Sequence, residues 1–227
     1  PPTAGNRTRI AAMVDYLVDT GHEVAMLLLP AVDRAGWDVA GMRERLAWCE
    51  VAEEPARARG FWARRARASG RRAGTDAGPI GVDDWCPEWF RARARARVAA
   101  WKPDVVVVEY VFLSACLEGL AAVHPCVTVI DTQDLMHRRR AVYDAIGLPP
   151  QWFHTTYAEE RRGLARADLV LAIQDEEAAV LREMVGPGRV LRVAHARPLR
   201  PAPLEAARPG RLLLVASYND VNVRGLA

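Results

Sequence analysis

Apolar positions along the chain change period several times, and each change marks an element. From Asn6 to Thr20, Ile10, Met13, Val14, Leu17 and Val18 recur at helical spacing, and Gly21 supplies a helix stop. Glu23 to Leu29 is a short apolar run closed by Pro30, which predicts a buried strand. Residues 38–47 read as a helix and Trp48 to Glu53 as a further strand. Residues 55–81 are rich in Arg, Ala and Gly with little periodicity and read as a long excursion. A helix is expected from Asp84 to Trp101, its start signalled by Asp83 or Asp84. Arg91, Arg93, Arg95 and Arg97 alternate as in a strand, but the alanines between them favour helix.

The second half alternates more regularly. Val105 to Val108 predicts a β-branched strand buried on both faces, followed by a helix over 114–123 and a strand over 126–130. A polar helix over 155–167, a strand over 168–173, a helix over 176–185 and a strand over 189–193 complete the pattern. Pro198, Pro201, Pro203 and Pro209 predict a linker over 198–210, after which Arg211 to Ala216 starts a new strand. Strands alternating with helices of ten or more residues imply an α/β, Rossmann-like parallel sheet with helices on both faces. Ligands meet such sheets at the carboxyl ends of the strands. That rule singles out Gly5 and its neighbours, Glu109 and Tyr110, the stretch from Asp131 to Arg140, and His195.

Composition narrows this only slightly. Of 227 residues, half are apolar and a quarter charged, the ordinary balance of a folded chain. The net charge of +3 is mild and Lys102 is the only lysine; arginine abundance alone is weak evidence for a polyanion partner, and with acids balancing the positive charge no nucleic-acid partner is expected. Cys49, Cys86, Cys116 and Cys126 are widely spaced, show no zinc-ligand spacing, and read as reduced core thiols. No apolar run approaches the ~20 residues needed to span a bilayer, and none reads as a signal peptide, so contact with a membrane is expected only from its surface.

Several segments then line up with a known family. Pro1-Pro2-Thr3-Ala4-Gly5-Asn6-Arg7, a helix, and Gly21-His22-Glu23-Val24 resemble the opening of family 4 glycosyltransferases of the GT-B fold. Lys102-Pro103-Asp104-Val105-Val106 is similar to that family's "kPDvvh" strand, and Asp131-Thr132-Gln133-Asp134 with Arg138 to Arg140 resembles its "DtHD…R" segment. Glu159-Glu160 with Arg166 to Ala172, continued by Asp175-Glu176-Glu177, resembles the "E…l..aDlvla.s..e" unit. Val193 to Ala196 occupies the place of the "vipnG" turn, and Leu212 to Ser217 with Asn219 and Asn222 looks like the strand that opens the donor domain. Gln133 stands where the family usually has His, which excludes an imidazole base there; Asn6, Ala216 and His195 also depart from the pattern.

The resemblance implies an acceptor-side domain over 1–197, the linker over 198–210, and the start of a nucleotide-sugar domain over 211–227, with the family's first strand apparently missing before Pro1. It implies transfer of a sugar from a nucleotide-sugar donor to a glycan or lipid-linked acceptor. No metal is expected, because no Asp-x-Asp motif appears, and no other cofactor is expected. A bacterial-type, cytoplasmic enzyme is expected, peripheral at the inner membrane face. This chain alone is expected not to turn over a nucleotide sugar. A GT-B-fold sugar epimerase and a non-catalytic module for an anionic ligand are the alternatives.

Individual residues keep two readings. The turn at Gly5 and Asn6 opens a helix, where N–H donors suit phosphate, or it is a plain tight turn. Asp131 and Asp134 are the catalytic candidates: a carboxylate here accepts a proton from an acceptor hydroxyl or orients the sugar, whereas Asp134 also suits an N-cap. Glu109 and Tyr110 would face the same cleft, and Arg138, among His137, Arg139 and Arg140, would grip a pyrophosphate or lie on a solvated helix face. The basic stretch from Arg57 to Arg72, interleaved with Phe61 and Trp62, suits an anionic membrane surface, would also fit nucleic acid, or is simply a solvated loop.

Overall fold

A computed structural model describes residues 5–30, 38–56, 81–148 and 153–195. In chain order the elements are α1 (Gly5–Asp19), β1 (Ala25–Leu28), α2 (Val39–Arg45), β2 (Trp48–Val51), α3 (Glu88–Trp101) and β3 (Val105–Glu109). A 3₁₀ segment (Val111–Leu117) leads to α4 (Leu120–Val123), β4 (Val127–Asp131), a 3₁₀ turn (Met136–Arg138) and α5 (Arg139–Ala145). Then come α6 (Tyr157–Leu164), β5 (Leu169–Ala172), α7 (Asp175–Val185) and β6 (Val190–Arg192). Among the described residues every strand pairing is parallel, as expected for strands joined through helices.

The strands form two ladders among the described residues rather than one: β1 pairs with β2, and β3, β4, β5 and β6 follow in that order. Apolar runs report burial and leave the neighbouring strand undefined, so sequence alone does not assign this break. The core lies on one face of the larger ladder. Ile130, Val170 and Val190 meet Leu164 from α6 and Leu181 from α7, while Phe90 and Val98 bring α3 into the same cluster.

Three expectations need correction. β3 is not buried on both faces: Val105 and Val107 are 49% and 41% exposed, while Val108 points into the core. Helix α1 meets that outer face at its carboxyl end, where Arg9 reaches Asp131, and leaves the opposite end of β3 open. The helix expected over 114–123 is a 3₁₀ segment and one short α-turn, separated at Gly119, whose φ of 74° interrupts the helical path. Helix α3 starts at Glu88 after Pro87, and Asp83 is not its cap. Asp83 instead accepts hydrogen bonds from Arg162 on α6 and from Arg166 just beyond it.

The four thiols are free, with the Sγ atoms of Cys86 and Cys116 3.4 Å apart in the core. No helix among the described residues is long and apolar enough to cross a membrane. The arginine-rich stretch 57–72, the linker over 198–210 and the strand expected at 211–216 lie outside the described residues.

Candidate active site at the strand ends

The register of the larger ladder sets Glu109, the last residue of β3, opposite Asp131, the last residue of β4. Residues opposite each other in register present their side chains on the same face, so two carboxylates share the carboxyl edge of the sheet. Like charges at this spacing are unfavourable unless something is placed between them or neutralises one of them. Both devices are present.

Arg9 neutralises Asp131. Its Nε donates to Oδ2 at 2.7 Å and its Nη2 to Oδ1 at 2.9 Å, while Nη1 donates to the Val193 carbonyl at 2.7 Å. Both side chains are almost wholly buried, at 2% and 0% exposure. Gln133 bridges the two acids: its Nε2 donates to Glu109 Oε2 at 2.8 Å and to Asp131 Oδ2 at 3.0 Å. Glu109 has no ion-pair partner among the described residues. Burial, followed by the negative charge of Asp131, pushes its carboxyl up to about 7. One carboxyl group is thus held by a guanidinium fork, and its neighbour exchanges a proton near neutrality.

The backbone holding these groups is strained at two adjacent strand ends. Tyr110, directly after β3, has φ 66° and ψ 145°, a combination nearly confined to glycine, and Gln133 has φ 63°. Each such residue costs roughly 1–3 kcal/mol and persists where surrounding structure over-determines it, commonly at functional sites. At Tyr110 the over-determination is visible. Its N–H donates to the Asp131 carbonyl at 2.9 Å, its ring stacks on Phe112 with centroids 4.9 Å apart, and its hydroxyl accepts from Asn6 Nδ2 at 2.7 Å. Burial pushes that hydroxyl up to about 12, so it remains a neutral donor.

The loop after β4 carries the remaining polar groups. Thr132 Oγ1 donates to the Leu171 carbonyl at 2.9 Å, anchoring the loop to β5. Glu160, fully buried on α6, accepts from the backbone N–H groups of Met136 and His137, each at 2.8 Å, and contacts His137 Nδ1 at 2.5 Å. Asp134 is half-exposed and pairs with Arg139 at 3.3 Å; Arg140 pairs with Asp144 at 3.4 Å. Arg138 is exposed.

Of the residues singled out by sequence, Asn6, Glu109, Tyr110 and Asp131 are thereby brought into one hydrogen-bonded cluster with α1. Gly5 opens α1 one residue before Asn6, whereas Asp134 and Arg138 sit on the adjoining loop. His195 is exposed beyond β6 and no hydrogen bond joins it to the cluster among the described residues. Sequence reasoning missed Arg9, the bridging role of Gln133, and Glu160. Arg9 could have been found: it lies four residues before Met13 and eight before Leu17, on the apolar stripe of α1, where a charged side chain needs a buried partner.

Comparison with known proteins bears directly on this stretch. The family model for the glycosyl transferase 4-like domain matches residues 4–197, from α1 to beyond β6, and so includes every residue of the cluster. No curated protein matches the chain. The α/β architecture with parallel strands agrees with a Rossmann-like half of a GT-B fold, and the chain belongs to the glycosyl transferase 4-like family.

Proposed function

We propose that this domain supplies the acceptor half of a glycosyltransferase that moves a sugar from a nucleotide-sugar donor to a hydroxyl of a glycan or lipid-linked acceptor. The observation that carries the reading is the pairing of Glu109 with Asp131 across one Gln133 amide at the carboxyl edge of the sheet. In this reading Glu109 accepts the hydrogen bond of the acceptor hydroxyl. As that oxygen bonds to the anomeric carbon, the bond to the diphosphate breaks and the hydroxyl proton passes to Glu109. Asp131, held by Arg9, positions Gln133 and maintains the field that raises the proton affinity of Glu109. The N–H groups at Gly5 and Asn6 and the Arg138 guanidinium are placed in the proposal at the departing diphosphate, where helix-terminal donors and planar forks suit phosphate oxygens. Catalysis then consists mainly of orientation and charge stabilisation.

The arginine-rich stretch from Arg57 to Arg72 supports the lipid-linked option through its sequence, since basic residues beside Phe61 and Trp62 suit an anionic bilayer. The full-length gene product, incubated with nucleotide sugars and acceptors, should form a glycosylated product. Glu109→Gln should lower kcat by about 10²–10⁴-fold with little change in the donor KM. An unaltered kcat would remove Glu109 from this role. Epimerised nucleotide sugar without transfer would remove the glycosyl-transfer reading itself.

A further inference from the structure

Away from the paired carboxylates, a cavity of about 610 Å³ opens beside β2 and α3. Its polar lining comes from Arg43 on α2, Glu50 on β2, Glu53, and Trp89, Arg93 and Arg97 on α3. The last three recur every four residues and so share one face of the helix. Three guanidiniums face two carboxylates, leaving a surplus positive charge.

The arginines are held in place. Glu50 bonds Arg93 through Oε1 at 2.5 Å and Arg97 through Oε2. The Arg97 guanidinium also lies over the Trp48 ring, 5.1 Å from its centroid, and Trp48 packs edge-on against Trp101. Arg43 spends its Nε on the Cys49 carbonyl at 3.1 Å and has no carboxylate in ion-pair range among the described residues. One carboxylate serves two guanidiniums here, so it orients both forks without exhausting their five N–H donors apiece.

We propose that this cavity is a second ligand site, separate from the paired carboxylates, that takes the phosphate group of a sugar-sized polar molecule. A phosphate offers oxygens to the Arg43 and Arg93 forks together, and planar guanidinium forks match its geometry. The cavity is far larger than a phosphate group needs and lies within the usual range for small-molecule sites, so the phosphate is attached to a larger body. A free sugar phosphate and a phospholipid headgroup share this chemistry.

Two probes test the site on the full-length protein: glucose 1-phosphate by isothermal titration, and phosphatidylglycerol vesicles by co-sedimentation. Saturable binding of at least one probe is expected, weakened tenfold or more by Arg43→Gln and by Arg93→Gln. Arg93→Lys, which keeps the charge and loses the fork, should not restore it. Binding of glucose 1-phosphate identifies a soluble ligand, and binding to vesicles alone identifies a headgroup. Absence of saturable binding to both probes, or binding indifferent to all these variants, overturns the proposal. Neither result depends on whether Glu109 takes part in sugar transfer.

Discussion

Arg9 and Asp131, 122 positions apart in sequence, meet as a two-pronged ion pair sealed from solvent, with donor–acceptor distances of 2.7 and 2.9 Å. The pair joins the first helix to the middle of the larger ladder and holds one of two neighbouring carboxyl groups in place. Removing a single partner of a buried pair leaves an uncompensated charge in low dielectric. Arg9→Ala should therefore destabilise the protein by about 3–5 kcal/mol in urea unfolding. Combining it with Asp131→Leu should recover a good part of that loss, because the orphaned charge disappears. Equal stability of the single and double variants would show that the pair is not the source of the effect.

The proton on Glu109 sets a pH dependence. Its folded-state value of about 7 lies above the ~4.3 of an unfolded glutamate. The folded protein therefore binds more protons between these values. Glu109 favours folding most below about pH 4 and loses that contribution as pH rises through 7. Transfer activity should move the other way, rising with a midpoint near 7 as the carboxylate becomes available. Glu109→Gln should abolish both trends; the checks are a pH–rate profile and denaturation of both proteins from pH 4.5 to 8.

Asp83 titrates with the opposite sign. Although burial pushes it up, hydrogen bonds from Arg166 and Arg162 hold its carboxyl at about 2. Its stabilising contribution is present above about pH 4, the unfolded value, and is lost as pH falls from 4 through 2. The two values differ enough to be worth about 2 kcal/mol at neutral pH. Asp83→Asn should cost that amount at pH 7, and the two proteins should converge in stability toward pH 2.

Gly163 lies where α6 packs against Val82 and the 3₁₀ segment Val111–Leu117. A Cβ there would lie 2.7 Å from methyl carbons of both Val82 and Val111, and 2.9 Å from Ser114 Oγ. Two of these neighbours are buried β-branched side chains with little freedom to withdraw. Gly163→Ala should therefore destabilise by about 1–3 kcal/mol despite the better helix propensity of alanine. Val82→Ala in the same protein should relieve part of it, measured as recovery in Tm over the single variant.

The strands were legible because β-branched runs such as Val105–Val108 have few other readings, and the carboxyl-edge rule placed Glu109, Tyr110 and Asp131 without any coordinates. The break near Gly119 was harder to see, since a run of small and apolar residues fits a continuous α-helix until one backbone turns left-handed. Asp83 was misread for a related reason. A cap and an ion-pair acceptor demand the same residue type, and only the approach of Arg162 and Arg166, some eighty positions away, separates them. Gln133 carried a signal of a negative kind: it ruled out an imidazole. Its bridging of two acids depends on an unusual φ and on the β3–β4 register, which no local pattern encodes.

Glu160 has a consequence for how the site can move. Its carboxylate is fully enclosed and grips two successive backbone N–H groups of the loop after β4, together with the His137 ring. Moving that loop while α6 stays in place would strip a buried carboxyl group of these partners, at the cost of an unsatisfied polar group in the core. The 3₁₀ turn at Met136–Arg138 is thereby tied to α6, and a displacement of one that leaves the other behind must break these bonds.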